Sequence, residues 1–172
     1  MIDRPTWVWG IDAGNEQSAI AVIRWDEYNG VKYCNDVSVK LPNDQILDRC
    51  RRECMNGTST LFAVEMTAVY GCPTTKEVLE TTRIIGRIQE ITRGYLIPRM
   101  DVKMHLLGRT NLKDSHIIAH LVGRFAKSSK NHGKGTKKEP DYFYGIKADI
   151  WQAFAVGVTL IDKLNQNQNI RR

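Results

Sequence analysis

Residues 6–25 read TWVWGIDAGNEQSAIAVIRW. Thr6–Ile11 is a run of aromatic, β-branched and apolar residues that stops at Asp12-Ala13-Gly14, a turn signal, and Ser18–Trp25 is a second run of the same kind. Val31–Leu41 makes a third, alternating through VSVKL. Three such runs on short connections predict an antiparallel meander. Downstream, LFAVEM (Leu61–Met66) is short and almost wholly apolar, the pattern of a central strand covered on both faces. YLIP (Tyr95–Pro98) supplies one more strand.

Helical segments separate and follow these runs. Pro42 opens a stretch with Ile46, Leu47, Cys50 and Cys54 at helical spacing, closed by Asn56-Gly57. A polar loop with Gly71 and Pro73 leads into a long helix, Thr75–Arg93, with Gly94 marking its end. Its inward face is predicted as Val78, Leu79, Thr82, Ile85, Gly86 and Ile88. Two further helices are predicted at Val102–Leu107 and Lys113–Phe125, and a strongly apolar one at Ala148–Leu164. The polar tail 165–172 is expected to fray. Residues 126–140 (AKSSKNHGKGTKKEP) are basic, small and almost free of apolar side chains, so a basic mobile loop is expected there. No repeat or linker divides the 172 residues. The order βββ-α-β-α-β-α-α, with the last helix, describes one α/β domain over residues 1–172: a mixed five-stranded sheet with helices on both faces.

Hydrophobic residues make up 42% and charged residues 26%, which fits a globular domain. No apolar run approaches the ~20 residues that cross a bilayer, and the N-terminus lacks an apolar signal core. Neither a membrane partner nor export is expected. Cys34, Cys50, Cys54 and Cys72 form no CxxC pair with a nearby histidine, so they read as reduced thiols of a cytoplasmic protein rather than a zinc site. The histidines form no metal motif either; His116 and His120 are merely one turn apart. Lys and Arg outnumber Asp and Glu by 25 to 19, a balance that suits a polyanionic partner.

Three carboxylates stand at element ends. Asp12 follows an apolar strand, Glu65 is embedded in LFAVEM, and Asp149 lies in the first turn of the last helix. A carboxylate inside a central strand is costly unless it is paired or binds a cation. If Asp12 and Glu65 lie on neighbouring strands they meet at one sheet edge, and the last helix can bring Asp149 to them. An all-oxygen cluster of this kind suits Mg²⁺ or Mn²⁺. Taken singly, Asp12 could make an Asx turn and Asp149 could cap a helix.

The order and context of the three acids resemble the RuvC-type Holliday junction resolvases of the ribonuclease H-like superfamily. GIDAG (Gly10–Gly14) and the following AIAVI are similar to the family's opening strands, and AVEM (Ala63–Met66) to its second acidic motif. KEVLETTRIIGRIQEI (Lys76–Ile91) resembles the helix that follows, PRMDVK (Pro98–Lys103) with LLGRTNLKD its basic segment, and GIKADIWQAFAVGV (Gly145–Val158) its closing helix. The resemblance implies a ribonuclease H-like fold and Asp12, Glu65 and Asp149 as catalytic metal ligands, with Asp12 bridging two ions. The family usually adds a second acid three residues further along the last helix. Here that position is Gln152, which shares a helix face with Asp149 but brings no charge. Weaker metal binding is therefore expected, tightened by Gln152→Asp.

The resemblance further implies Mg²⁺ as cofactor with Mn²⁺ substituting, branched DNA (a four-way junction) as substrate, and in-line phosphodiester hydrolysis leaving a 5′-phosphate and a 3′-hydroxyl. Two symmetric cuts require a homodimer. Lys103, Arg109 and Lys113 are candidate phosphate contacts, as are Lys134, Lys137 and Lys138 in the KGTKK segment, and Tyr70 is a candidate for stacking on an unpaired base. Solvated surface lysines and a core tyrosine are the plain alternatives. The basic loop and the D-x-x-Q ending look more like bacteriophage than bacterial members, so the setting is the cytoplasm of a bacterial or phage-infected cell. Two other readings stand beside this one: a non-catalytic junction-binding module, and a related nuclease acting on hybrids or flaps. A sugar-kinase or actin-like ATPase, which also opens with GIDAG before a hairpin, needs two copies of the fold, and 172 residues hold one.

Overall fold

The computed structural model describes residues 6–26, 30–67 and 74–170, the side chains of 167–170 excepted. Strand β1 (Thr6–Asp12) pairs antiparallel with β2 (Gln17–Asp26) and parallel with β5 (Thr60–Met66). Beyond β2 the edge is shared by two short strands, β3 (Gly30–Tyr33) and β4 (Val39–Pro42). The expected single third strand is interrupted by a 3-10 turn at Asn35–Val37, in which Ser38 N bonds back to the Cys34 and Asn35 carbonyls. On the other side, β6 (Tyr95–Pro98) pairs parallel with β5. The sheet order is β3-β2-β1-β5-β6 with β4 also on β2: six strands in five positions, mixed as expected.

Period-two alternation sends side chains to two cores. Trp9, Ile11, Ile20, Val22, Phe62 and Val64 pack on one face under α1 (Asn43–Met55) and α2 (Lys76–Thr92). Val8, Ala19, Ala21, Ile23 and Ala63 lie on the other, under α3 (Arg99–Leu107), α4 (Asp114–Phe125) and α5 (Ile150–Ile170). The α5 segment from Ala153 to Val158 is buried on every side that the rows describe, matching its apolar composition.

Three details depart from expectation. The buried face of α2 is Thr81, Ile84, Ile85 and Ile88, while Leu79 is 60% exposed and Thr82 and Gly86 face outward. The apolar content of α2 is spread widely enough that pattern alone leaves its rotation open by about one residue. The left-handed residue closing α2 is Arg93 (φ 51), not Gly94. Gly94 is instead required by space, since a Cβ there would lie 2.9 Å from the Phe62 Cβ. Finally, α5 continues to Ile170, six residues past the predicted Leu164, because nothing in NQNQNI breaks a helix.

The 126–140 segment carries more structure than its composition suggests. Gly133 and Gly135 are buried, and Phe143 N donates to the Gly133 carbonyl. Asp141 accepts from Lys127 N and Ser128 N. No helix among the described residues is long and apolar enough to cross a membrane.

Candidate metal centre at the end of the sheet

Asp12 is the last residue of β1, and the turn after it is clasped from outside. Ser18 Oγ donates to Asn43 Oδ1 at 2.6 Å, and Asn43 Nδ2 donates to the carbonyls of Gly14 and Asn15, both at 3.0 Å. Gly14 has no room for a side chain, because its Cβ would meet the Gln17 carbonyl oxygen at 2.4 Å. The glycine of GIDAG thus makes a tight return, and Asp12 is free to face the α5 side.

Glu65 reaches the same edge from β5. Ile11 lies opposite Val64 in the parallel register, so Asp12 and Glu65 are neighbours one residue further along, on one face. Glu65 is 7% exposed, and Arg99 at the start of α3 donates to its Oε1 at 2.6 Å. The same guanidinium donates to Asp114 Oδ2 at 2.5 Å, tying β5, α3 and α4 together. Lys103 completes that corner, donating to the Leu112 carbonyl at 2.7 Å and lying 3.6 Å from Asp114.

Asp149 stands immediately before α5, its carbonyl accepting from Gln152 N and Ala153 N. The helix N-terminus favours a negative charge there. Its carboxylate is in contact with the Lys40 ammonium from β4. Gln152 is half-buried in the first turn of α5.

The electrostatics join these residues. Burial, then the Glu65 carboxylate, pushes the Asp12 carboxyl up to about 7; Asp149 adds to this, and Arg99 and Lys40 oppose it. Burial also raises Glu65 above the usual carboxylate range, with Arg99 countering only in part. Among the described residues no three His, Cys, Asp or Glu side chains are gathered tightly enough to grip an ion as they stand. The donor chemistry nevertheless fits a hard divalent cation: three carboxylates at one sheet edge, with Asp12 sensing the other two. Two of them have cationic partners, each on one oxygen (Arg99 on Glu65 Oε1, Lys40 on Asp149 Oδ2), so a shared ion takes the other oxygen or displaces the partner.

The remaining predicted residues are dispersed. Arg109 and Lys113 are exposed beside the Arg99–Asp114 corner in sequence, Lys137 and Lys138 are exposed in the 126–140 segment, and Lys134 is half-buried. Tyr70 lies outside the described residues. Sequence reasoning missed Lys40 and Arg99 as parts of the site; only the strand register and the return of α5 bring them to the acids. A cavity of about 690 Å³ lies on the other face, between α1 and the sheet, with Trp7, Trp9, Leu41, Arg49 and Arg52 in its wall; none of the three acids lines it. The described cysteines 34, 50 and 54 are free thiols.

The fold is a mixed α/β sheet of the ribonuclease H-like kind, with Asp12 and Glu65 at the ends of its central strands. No sequence-family profile and no curated protein matches the chain. Solved structures do. A Thermus thermophilus RuvC in complex with a Holliday junction substrate superposes with a TM-score of 0.59 at 14% identity, covering 90% of this chain and 92% of that one. A second T. thermophilus RuvC structure gives 0.55 at 16% identity with the same coverage. The chain has a RuvC-type resolvase fold.

Proposed function

We propose that this protein is a metal-dependent endonuclease that cuts branched DNA, with a four-way junction as its preferred substrate. The carrying observation is the convergence of Asp12, Glu65 and Asp149, from β1, β5 and the start of α5, at one sheet edge where Asp12 senses both partners' charge. These three residues, with the Gln152 amide, would hold Mg²⁺ or Mn²⁺. When bound, such an ion supplies an activated water and offsets the charge that develops on the phosphate. In the reaction the water oxygen bonds to phosphorus, the bond to the 3′ oxygen breaks, and that oxygen leaves as a hydroxyl. Arg109, Lys113 and the lysines of the 126–140 segment hold the DNA backbone. Two chains acting as a homodimer place one cut on each of two strands; the exposed face of α2, with Leu79, Thr82 and Gly86, is a surface for that pairing.

A second reading is favoured by a specific feature. Glu65 and Asp149 are already paired with Arg99 and Lys40, and Gln152 is neutral, which suits a junction-binding module without catalysis. One experiment separates the two. A labelled synthetic four-way junction is incubated with the protein in Mg²⁺, with linear duplex, an RNA–DNA hybrid and Asp12→Asn as controls. Paired, ligatable nicks on the junction alone, lost in the variant, establish the resolvase. Tight binding without cleavage in either metal overturns it in favour of the binding module, and equal cutting of every substrate removes junction selectivity.

A further inference from the structure

The contact between Lys40 and Asp149 has a structural setting that neither residue reveals alone. In the antiparallel registers Lys40 lies opposite Ala19, and Ala19 lies opposite Asp12. Directly opposed residues present their side chains on the same face, so Lys40, Ala19 and Asp12 form a row across β4, β2 and β1, with Glu65 continuing it on β5. Adjacent strands are about 4.8 Å apart, which sets Lys40 roughly 10 Å from Asp12 along the backbone row. The residue between them has only a methyl side chain, and Ala19 is 1% exposed. Asp149 comes down on this row from α5 and meets the Lys40 ammonium. Leu41 and Val39 pack with the opposite core, which fixes Lys40 toward the acids.

The charge balance gives this arrangement a use. Asp12, Glu65 and Asp149 together offer three negative charges when ionised. One divalent ion and one ammonium neutralise them; two divalent ions with the same ammonium leave a surplus of positive charge. Arg99 and Lys103 share Asp114, so that corner adds one positive charge on the Glu65 side, which weighs further against a second divalent ion. Gln152, one turn along α5 on the Asp149 side, contributes no charge to hold a second ion.

Resting on the nuclease reading above, we propose that Lys40 is a built-in cation that takes the charge position of a second divalent ion beside Asp149, so that this chain binds one divalent ion rather than two. Lys40 acts through the acids and is a positioning residue. It holds one oxygen of Asp149 and leaves the other to join Asp12 and Glu65 on the ion, and it excludes a second ion by repulsion.

The test counts ions without reference to cleavage. Mn²⁺ is titrated into the full-length protein without DNA, and bound ions per chain are read by calorimetry and by electron paramagnetic resonance. Wild type is expected to take one Mn²⁺. Lys40→Met, which keeps the length of the side chain and removes its charge, is expected to gain a second site or to tighten the first by about tenfold. Lys40→Arg is expected to stay at one ion. Lys40 is 41% exposed, and a melting curve confirms that each variant is folded. Two ions in wild type, or one ion with unchanged affinity in Lys40→Met, overturn this inference and leave the metal site itself standing. No Mn²⁺ in wild type, with Asp12→Asn indistinguishable, overturns the nuclease reading and the inference with it.

Discussion

Gly10 of β1 and Ala153 of α5 approach so closely that a Cβ on Gly10 would sit 1.8 Å from the Ala153 carbonyl oxygen. The same Cβ would lie 2.9 Å from the backbone N of Gly157, one turn further along α5. This crossing seats the helix, and with it Asp149 at its N-terminal end, over the strand that ends in Asp12. A methyl group at position 10 must push α5 off the sheet. Gly10→Ala is expected to destabilise the protein by about 3 kcal/mol or more, since the clash is with backbone rather than a flexible side chain. Urea unfolding followed by tryptophan fluorescence checks it. A variant as stable as wild type would show that the crossing can relax at no cost.

Arg99 bridges Glu65 and Asp114. Arg99→Ala leaves Glu65 buried without its cation, and the cost is expected to be about 2–3 kcal/mol, the low end for a broken buried pair because the guanidinium is partly exposed. Arg99→Lys keeps the charge but reaches only one of the two acids, so it should fall between. Equal stability of the alanine and lysine variants would argue against the bridge. Arg99→Ala should also raise Mn²⁺ affinity if Glu65 joins the metal set, because its competing cation is gone, whereas Arg99→Lys should not.

Asp12 carries a pH signature in the metal-free protein. Its carboxyl is held at about 7, above the ordinary value, by burial and then by Glu65. A carboxyl whose folded pKa is raised binds more protons folded than unfolded, so it costs stability as pH climbs from about 4 to 7. Asp12→Asn removes that cost. At pH 8 without metal the variant is expected to be more stable by about 2–4 kcal/mol, and at pH 4 to match wild type. Thermal melts across this range decide it; a variant less stable at pH 8 sinks the argument.

These relationships mark what pattern reading could and could not reach. The strands were legible because TWVWGI, SAIAVI and LFAVEM are dense in strand formers, and the acids stood out because carboxylates at the ends of apolar runs need a reason. Lys40 was invisible among the residues of VSVKL. Its partner Asp149 is brought by α5 from the far end of the chain, and only the register opposite Ala19 and Asp12 aligns them. The rotation of α2 was set by packing against α1 and β5 rather than by periodicity alone, which is why Leu79 points outward. The order within 126–140 rests on backbone bonds and buried glycines, which leave no hydrophobic trace.

Asp162 of α5 fastens the helices that overlie the site. Arg124 of α4 grips it through two bonds of 2.6 and 2.7 Å, and His105 of α3 lies 2.9 Å away. Burial works against its charge, but the Arg124 and His105 hydrogen bonds together hold the carboxyl below its ordinary range. A depressed folded pKa gives stability above the unfolded pKa and loses it as pH falls through the folded one. Asp162→Asn should cost about 2–3 kcal/mol at pH 7, with the difference closing on acidification. A difference that persists unchanged at low pH would assign the loss to packing instead.

Lys137 and Lys138 are exposed in a segment whose ends are pinned by Asp141 and by the Gly135–Pro140 bridge. Pinning lowers the ordering cost when such lysines meet a phosphate backbone. On the nuclease reading each neutralises one phosphate. Replacing both with alanine is then expected to lower the slope of log affinity against log salt by about 1.8, with weaker junction binding at every salt concentration. Stability should be unchanged, as both side chains are solvated. Fluorescence anisotropy of a labelled junction across a salt series measures the slope in Ca²⁺, which permits binding without relying on cleavage. An unaltered slope would place the DNA path away from this segment and leave the exposed Arg109 and Lys113 as the cations to test next.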